Sequence, residues 1–166
     1  MQEALAQAQS MWNAGSRSAA IDLLNDALQS VERSRAGAEP SGSGAVLATL
    51  ARELARMQLA QGQVREALEM LTRLEPALLQ VADTWAMRGN AAQRLGRHAD
   101  SAAAYQIALK LRPGEPRWQL GAAVSLAALG QLAAAAELAE QARAAGALSP
   151  EVATYLRQLG VTLPAR

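Results

Sequence analysis

The sequence predicts an all-α chain of stacked antiparallel helix pairs, and three observations carry that expectation. Apolar residue types make up 51% of the 166 residues but aromatics only 3%, with no Phe. A core built from Ala, Leu and a few Trp, Tyr and Met suits closely packed helices better than sheets. Gly62, Gly96 and Gly130 stand 34 residues apart, a spacing at which helix–turn–helix units repeat. The surroundings repeat as well: five residues after each glycine comes a small residue, Ala67, Ser101 or Ala135, and a helical stretch precedes each. Each glycine is thus expected in the turn between two helices.

A fourth copy lies upstream, because Gly15 is followed by Ala20 and Leu24 as Gly62 is by Ala67 and Leu71. Gly15 and Gly62 are 47 residues apart, and the excess falls at 35–47, where Gly37, Pro40, Ser41, Gly42, Ser43 and Gly44 read as a flexible loop. The repeats are placed at 1–34, 48–81, 82–115 and 116–149, all within a single domain spanning 1–166. Ser149, Pro150 and Glu151 then supply an N-cap, a first-turn proline and a first-turn acid for a closing helix over about 150–159. Helices of this length are marginal alone and depend on burying an apolar face on their neighbours.

The copy at 82–115 carries Trp85, Gly89, Leu95, Gly96, Tyr105, Ala108, Leu111 and Pro113, and in these residues it resembles the tetratricopeptide-repeat (TPR) family. Arg88, Ala92 and Ser101 depart from the family pattern. The resemblance implies a TPR solenoid, a right-handed superhelix of four helix pairs plus a C-terminal capping helix. It also implies that Gly89 and Ser101 let paired helices approach, while Trp85 and Tyr105 fill the space between them.

Chemistry finds little support. There is no Cys, and the only histidine, His98, has no catalytic partner nearby in sequence. No phosphate-binding glycine loop and no metal-binding spacing occurs, so no enzyme activity, no cofactor and no metal are expected. The net charge is +1 and the 16 basic residues are scattered, which disfavours nucleic acid. The charge-free stretch from Trp118 to Ala136 contains Gln119, Ser125 and Gln131 and is rich in Ala, so direct membrane insertion is not expected.

The TPR resemblance implies a concave groove lined by the first helix of each pair, taking a protein or peptide ligand. Register puts Trp12 and Asn13 there in the first repeat, Arg52 and Arg56 in the second, Met87, Asn90 and Arg94 in the third, and Leu120 and Val124 in the fourth. Arg52, Arg56 and Arg94, helped by Asn90, form a candidate basic centre for an acidic group; the alternative is a solvated polar face. Trp12 and Met87 read as apolar anchors or as core. The carboxylate clamp of chaperone-binding TPR proteins has no counterpart, since the matching positions hold Leu5, Gln9 and Glu53. Packing against a second copy leaves a homo-oligomer open.

Arg117-Trp118-Gln119-Leu120-Gly121 and Gly146-Ala147-Leu148-Ser149-Pro150-Glu151 resemble the C-terminal repeat region of MshN-type biogenesis proteins of the MSHA (type IV) pilus. That resemblance implies a scaffold of a bacterial envelope assembly machine, on the periplasmic face of the inner membrane, excised from an N-terminal anchor. The alternative is a cytoplasmic adaptor or co-chaperone-like module of another pathway.

Overall fold

The structure is a computed structural model that describes residues 2–35 and 43–164. The described residues hold ten helices and no strand, so the all-α expectation holds. They divide into two compact units, Met1–Leu79 and Gln80–Arg166.

The first unit contains α1 (Gln2–Asn13), α2 (Arg17–Arg35), α3 (Ser43–Ala60), α4 (Val64–Arg73) and α5 (Glu75–Leu78). α1 packs on α2, α2 on α3, and α3 on both α4 and α5. Leu24, Leu28, Leu50, Leu54 and Met57 are fully buried between them, each leucine stabilising the unit by about 2 kcal/mol through the area it removes from water. The expected loop at 35–47 is narrower than the composition suggested. Arg35 closes α2, and Ser43 to Leu47 already belong to α3, where burial of Leu47 supplies the packing that favours helix over the local Gly and Ser content. Residues 36–42, the remainder of that loop, lie outside the described residues.

The second helix of the second repeat is interrupted. It stops at Arg73 and resumes as the single turn α5, with Pro76 near its start. Proline has no N–H and crowds the preceding turn, so the ladder cannot pass through it.

The second unit contains α6 (Ala82–Arg94), α7 (His98–Leu111), α8 (Pro116–Ala128), α9 (Leu132–Ala144) and α10 (Pro150–Gln158). Each helix from α6 to α9 packs on the next, α6 also meets α8, and α10 rests on α8. Its core is largely alanine: Ala91, Ala92, Ala108, Ala122, Ala123, Ala135, Ala139 and Ala142 have no exposed surface, and small side chains bring helix axes close. Ser149 caps α10 as expected, accepting a hydrogen bond from the Val152 N–H at 3.2 Å. Beyond α10, Val161 and Leu163 turn back into a cluster with Leu156, Ala153 and Ala139.

The repeat glycines sit in the turns. Gly15, Gly62, Gly96 and Gly130 all have positive φ, between 76° and 93°, a region that costs any residue with a Cβ. At Gly96 the amide N–H bonds to the Gln93 carbonyl at 3.0 Å and that of Arg97 to the Ala92 carbonyl at 2.8 Å, the paired bonds of a Schellman C-cap. The 34-residue spacing is therefore the spacing of helix ends that need a left-handed residue.

Candidate functional site

In the first unit, α1 and α3 are tied together by polar side chains. Gln9 donates to Asn13 Oδ1 at 3.1 Å, and Arg56 donates to Gln9 Oε1 at 3.2 Å. The Arg56 Nε also meets both Glu53 oxygens, at 3.2 and 3.3 Å. The hydrogen bonds that Arg56 donates to Glu53 hold its guanidinium above its ordinary range, opposed in part by burial. Arg56 is thus matched within its own helix, and Asn13 belongs to the same chain of bonds. Arg52, one turn earlier, is exposed. Trp12 is half-buried, and the Arg17 guanidinium lies 4.9 Å from its ring centroid, a cation–π arrangement that already covers one face of the ring.

In the second unit, Asp83, Met87, Asn90 and Arg94 follow one stripe of α6, and Arg117, Gly121, Val124 and Ala128 are their counterparts on α8, 34 residues later. Gln93 joins the two helices: its amide donates to the Gly121 carbonyl and to Ser125 Oγ, both at 2.8 Å. Ser125 in turn donates to Ser101 Oγ at 2.9 Å, and His98 Nδ1 stands 3.4 Å from the same Ser125 oxygen. Ser101 and Ser125 are fully buried, so this seam satisfies hydroxyls that would otherwise be costly. It also gives His98 a packing role.

Tyr105 of α7 fills the space between α6 and α8. A Cβ on Gly89 would lie 2.8 Å from its ring, and one on Gly121 only 2.4 Å. Trp85 is buried with it, as expected from the repeat pattern, and Arg88 lies 4.9 Å from the Trp85 centroid. Burial pushes the Tyr105 phenol above its ordinary pKa of 10.0, partly opposed by a hydrogen bond with Asn90. Asn90 is therefore engaged with the core tyrosine. Because the folded state holds the phenol proton more tightly, the stability due to Tyr105 is complete below pH 10.0 and declines as pH rises beyond it. An ultraviolet phenolate titration should show an ionisation in wild type, above the ordinary tyrosine value, that is missing in Tyr105→Phe.

The remaining expected groove residues divide. Val124 packs against the cluster that contains Leu156. Met87 and Leu120 are half-buried, and Arg94 and Arg117 are exposed. Asp83, on the same stripe, is paired with Arg112 at 2.8 Å. The two units each present their own first-helix face, Arg52 and Arg56 on one, Met87, Asn90 and Arg94 on the other.

An open cavity of about 660 Å³ also lies on the second helices, away from the first-helix face. Its walls are Ala103, Gln106, Ile107, Leu109 and Lys110 of α7 and Ala134, Glu137, Leu138 and Gln141 of α9, with Leu126 between. Apart from Leu109, both walls follow the i, i+3, i+4, i+7 spacing of one helix face. That spacing is the signal that was available in the sequence.

Residues 86–150, less than half of the chain, match the tetratricopeptide-repeat family model. No curated protein matches the chain significantly. Among solved structures, a tetratricopeptide-repeat protein of Parabacteroides merdae superposes with a TM-score of 0.75 at 16% identity, covering 96% of this chain and 59% of that one. The chain thus spans under two thirds of that protein. The first TPR of Spaghetti (RPAP3), bound to the HSP90 peptide SRMEEVD, gives 0.61 at 20% identity, covering 68% and 90%. The Yersinia enterocolitica type III secretion chaperone SycD, in complex with a peptide of the translocator YopD, gives 0.56 at 22%, covering 66% and 86%. The fold is that of a TPR solenoid.

Proposed function

We propose that this chain, with its TPR fold, binds a short segment of a partner protein along the first helices of its pairs, chiefly on the α6–α8 face of the second unit. The composition of that face carries the reading. Met87 and Leu120 give apolar surface, Arg94 and Arg117 stand exposed on the same two helices, and Asp83 is neutralised by Arg112. Such a face suits an acidic segment with an apolar anchor: the arginines offer forked donors to carboxylates, and the apolar residues supply area. Two similar structures support it, because each holds a peptide, and the HSP90 peptide SRMEEVD combines acids with Met and Val.

Panning a random peptide display library on the immobilised chain should enrich sequences with Asp or Glu flanking an apolar residue. In fluorescence anisotropy, Arg94→Ala/Arg117→Ala should weaken the best peptide about tenfold and flatten its salt dependence, with helicity unchanged because exposed arginines add little to stability. Enrichment of uncharged peptides, or affinity indifferent to the double variant, would move the site off this face.

The finer reading places the module in an envelope assembly machine of the MSHA pilus type, on the periplasmic face of the inner membrane. Its support is the two stretches at 117–121 and 146–151. Part of their pattern has a structural use: Gln119 is buried against Gln141, Gly121 makes room for Tyr105, Gly146 ends α9 with a φ of 75°, and Ser149 caps α10. Among the described residues no helix is long and apolar enough to cross a membrane. Fractionation of the tagged full-length protein, with capture of its partners, tests this placement. A cytoplasmic protein that captures no pilus component would leave the adaptor reading in its place.

A further inference from the structure

We infer that the groove between α7 and α9 is a self-association site, filled by the outer face of α10 from a second copy of the chain.

The groove has a polarity along its length. α7 and α9 run parallel, since each is antiparallel to the α8 between them, and they are related by the 34-residue repeat. In that register Glu137 lies level with Ala103, seven residues from Lys110, or about 10 Å along the helices. One end of the groove is therefore positive and the other negative. Ile107, Leu138 and Leu126 form the apolar stretch between. A concave surface of this kind takes a ridge, and the ridge must carry an apolar group followed by an acid at the end that meets Lys110.

α10 presents that order. Tyr155 is one of three large apolar side chains exposed among the described residues, at 47%. Glu151, Thr154 and Gln158 share its face at helical spacing, and all are exposed. Arg157, in the last turn, leaves the helix on the side away from Tyr155 and donates to the Leu163 and Pro164 carbonyls at 3.3 and 3.4 Å. With α10 laid antiparallel to α7 and α9, Tyr155 enters the apolar stretch and Glu151 reaches Lys110. The same orientation sets the positive end of the α10 dipole against the negative ends of α7 and α9. Laid the other way, Glu151 would face Glu137.

Groove and α10 face are different surfaces, so the contact is heterologous. It builds a chain or a ring of copies instead of a closed two-fold dimer. It also leaves the α6–α8 face of each copy unoccupied, so it stands apart from the proposed peptide site.

Sedimentation velocity of the full chain, from micromolar concentrations to about 1 mM, should show association that grows beyond two copies. Tyr155→Ala should abolish it, and Lys110→Glu should weaken it at least about tenfold. The charge-swapped Lys110→Glu/Glu151→Lys chain should regain it. Lys110 is the only lysine in the sequence, so a carbodiimide cross-link from it is unambiguous and should fall on Glu151 of another copy. A chain that sediments as a monomer throughout, leaving the groove to a helix of some other protein, overturns the inference. So does association that survives both Tyr155→Ala and Lys110→Glu, which would put the contact on another face.

Discussion

Gly121→Ala should lower the melting temperature by about 4–8 °C, the shift expected for a loss of about 2 kcal/mol in a chain of this length. A Cβ at position 121 would stand 2.4 Å from Cζ and 2.6 Å from Cε2 of Tyr105, well inside contact distance. The ring cannot retreat, because on α6 the space where Gly89 lacks a Cβ is also filled by Tyr105. Overpacking of this severity costs about 3 kcal/mol, and alanine returns about 1 kcal/mol through its better helix propensity. Thermal circular dichroism measures the difference. If the clash is the cause, Gly121→Ala/Tyr105→Leu should lose clearly less than the two single variants added together. A melting point for Gly121→Ala equal to wild type would mean that the α7–α8 approach is looser than described.

The turns of this fold are legible in the sequence for a local reason. A helix that ends in a left-handed residue and restarts at once needs glycine there, and Gly15, Gly62, Gly96 and Gly130 all take that conformation. Ser149 reads equally well, since an N-cap satisfies its helix within three residues. The sequence misleads where a local preference competes with packing, and it gives less where a single breaker interrupts a helix. Ser43 to Leu47 read as loop from composition, yet they extend α3 because Leu47 finds a buried place. Pro76 falls three residues before the position corresponding to Pro113 and cuts the second helix short, giving α4 ten residues where α7 has fourteen.

The site was less legible than the fold. Register fixes the direction in which a residue leaves its helix, and it puts Asn90 and Val124 toward the first-helix face. It does not say how far a side chain reaches or what the next helix offers. Gln93 is long enough to span to α8, Asn90 meets the Tyr105 hydroxyl, and Val124 joins the Leu156 cluster. Arg56 similarly finds Glu53 three residues away on its own helix, a pairing visible in the sequence once i, i+3 neighbours are weighed beside repeat position. Met87 and Leu120, half-buried, and Arg94 and Arg117, exposed, are the part of the pattern that keeps solvent-accessible surface on the second unit's face.

Leu156→Ala should have the largest effect of any substitution in the closing helix, a loss of about 2–5 kcal/mol. Leu156 has no exposed surface and packs with Leu126, Ala139, Ala153, Val161 and Leu163. α10 has only nine residues, too few to persist without that burial. Its loss would release Val161 and Leu163 and uncover the apolar faces of α8 and α9. Because stability in a repeat fold is shared mainly between neighbours, the damage should be graded along the chain. Amide hydrogen exchange should quicken most in α10, next in α8 and α9, and least in α2 and α3. Tyr155→Ala, on the exposed side of the same helix, is the control and should change stability by no more than about 0.5 kcal/mol. Uniform acceleration of exchange through every helix would instead show that the two compact units unfold as one.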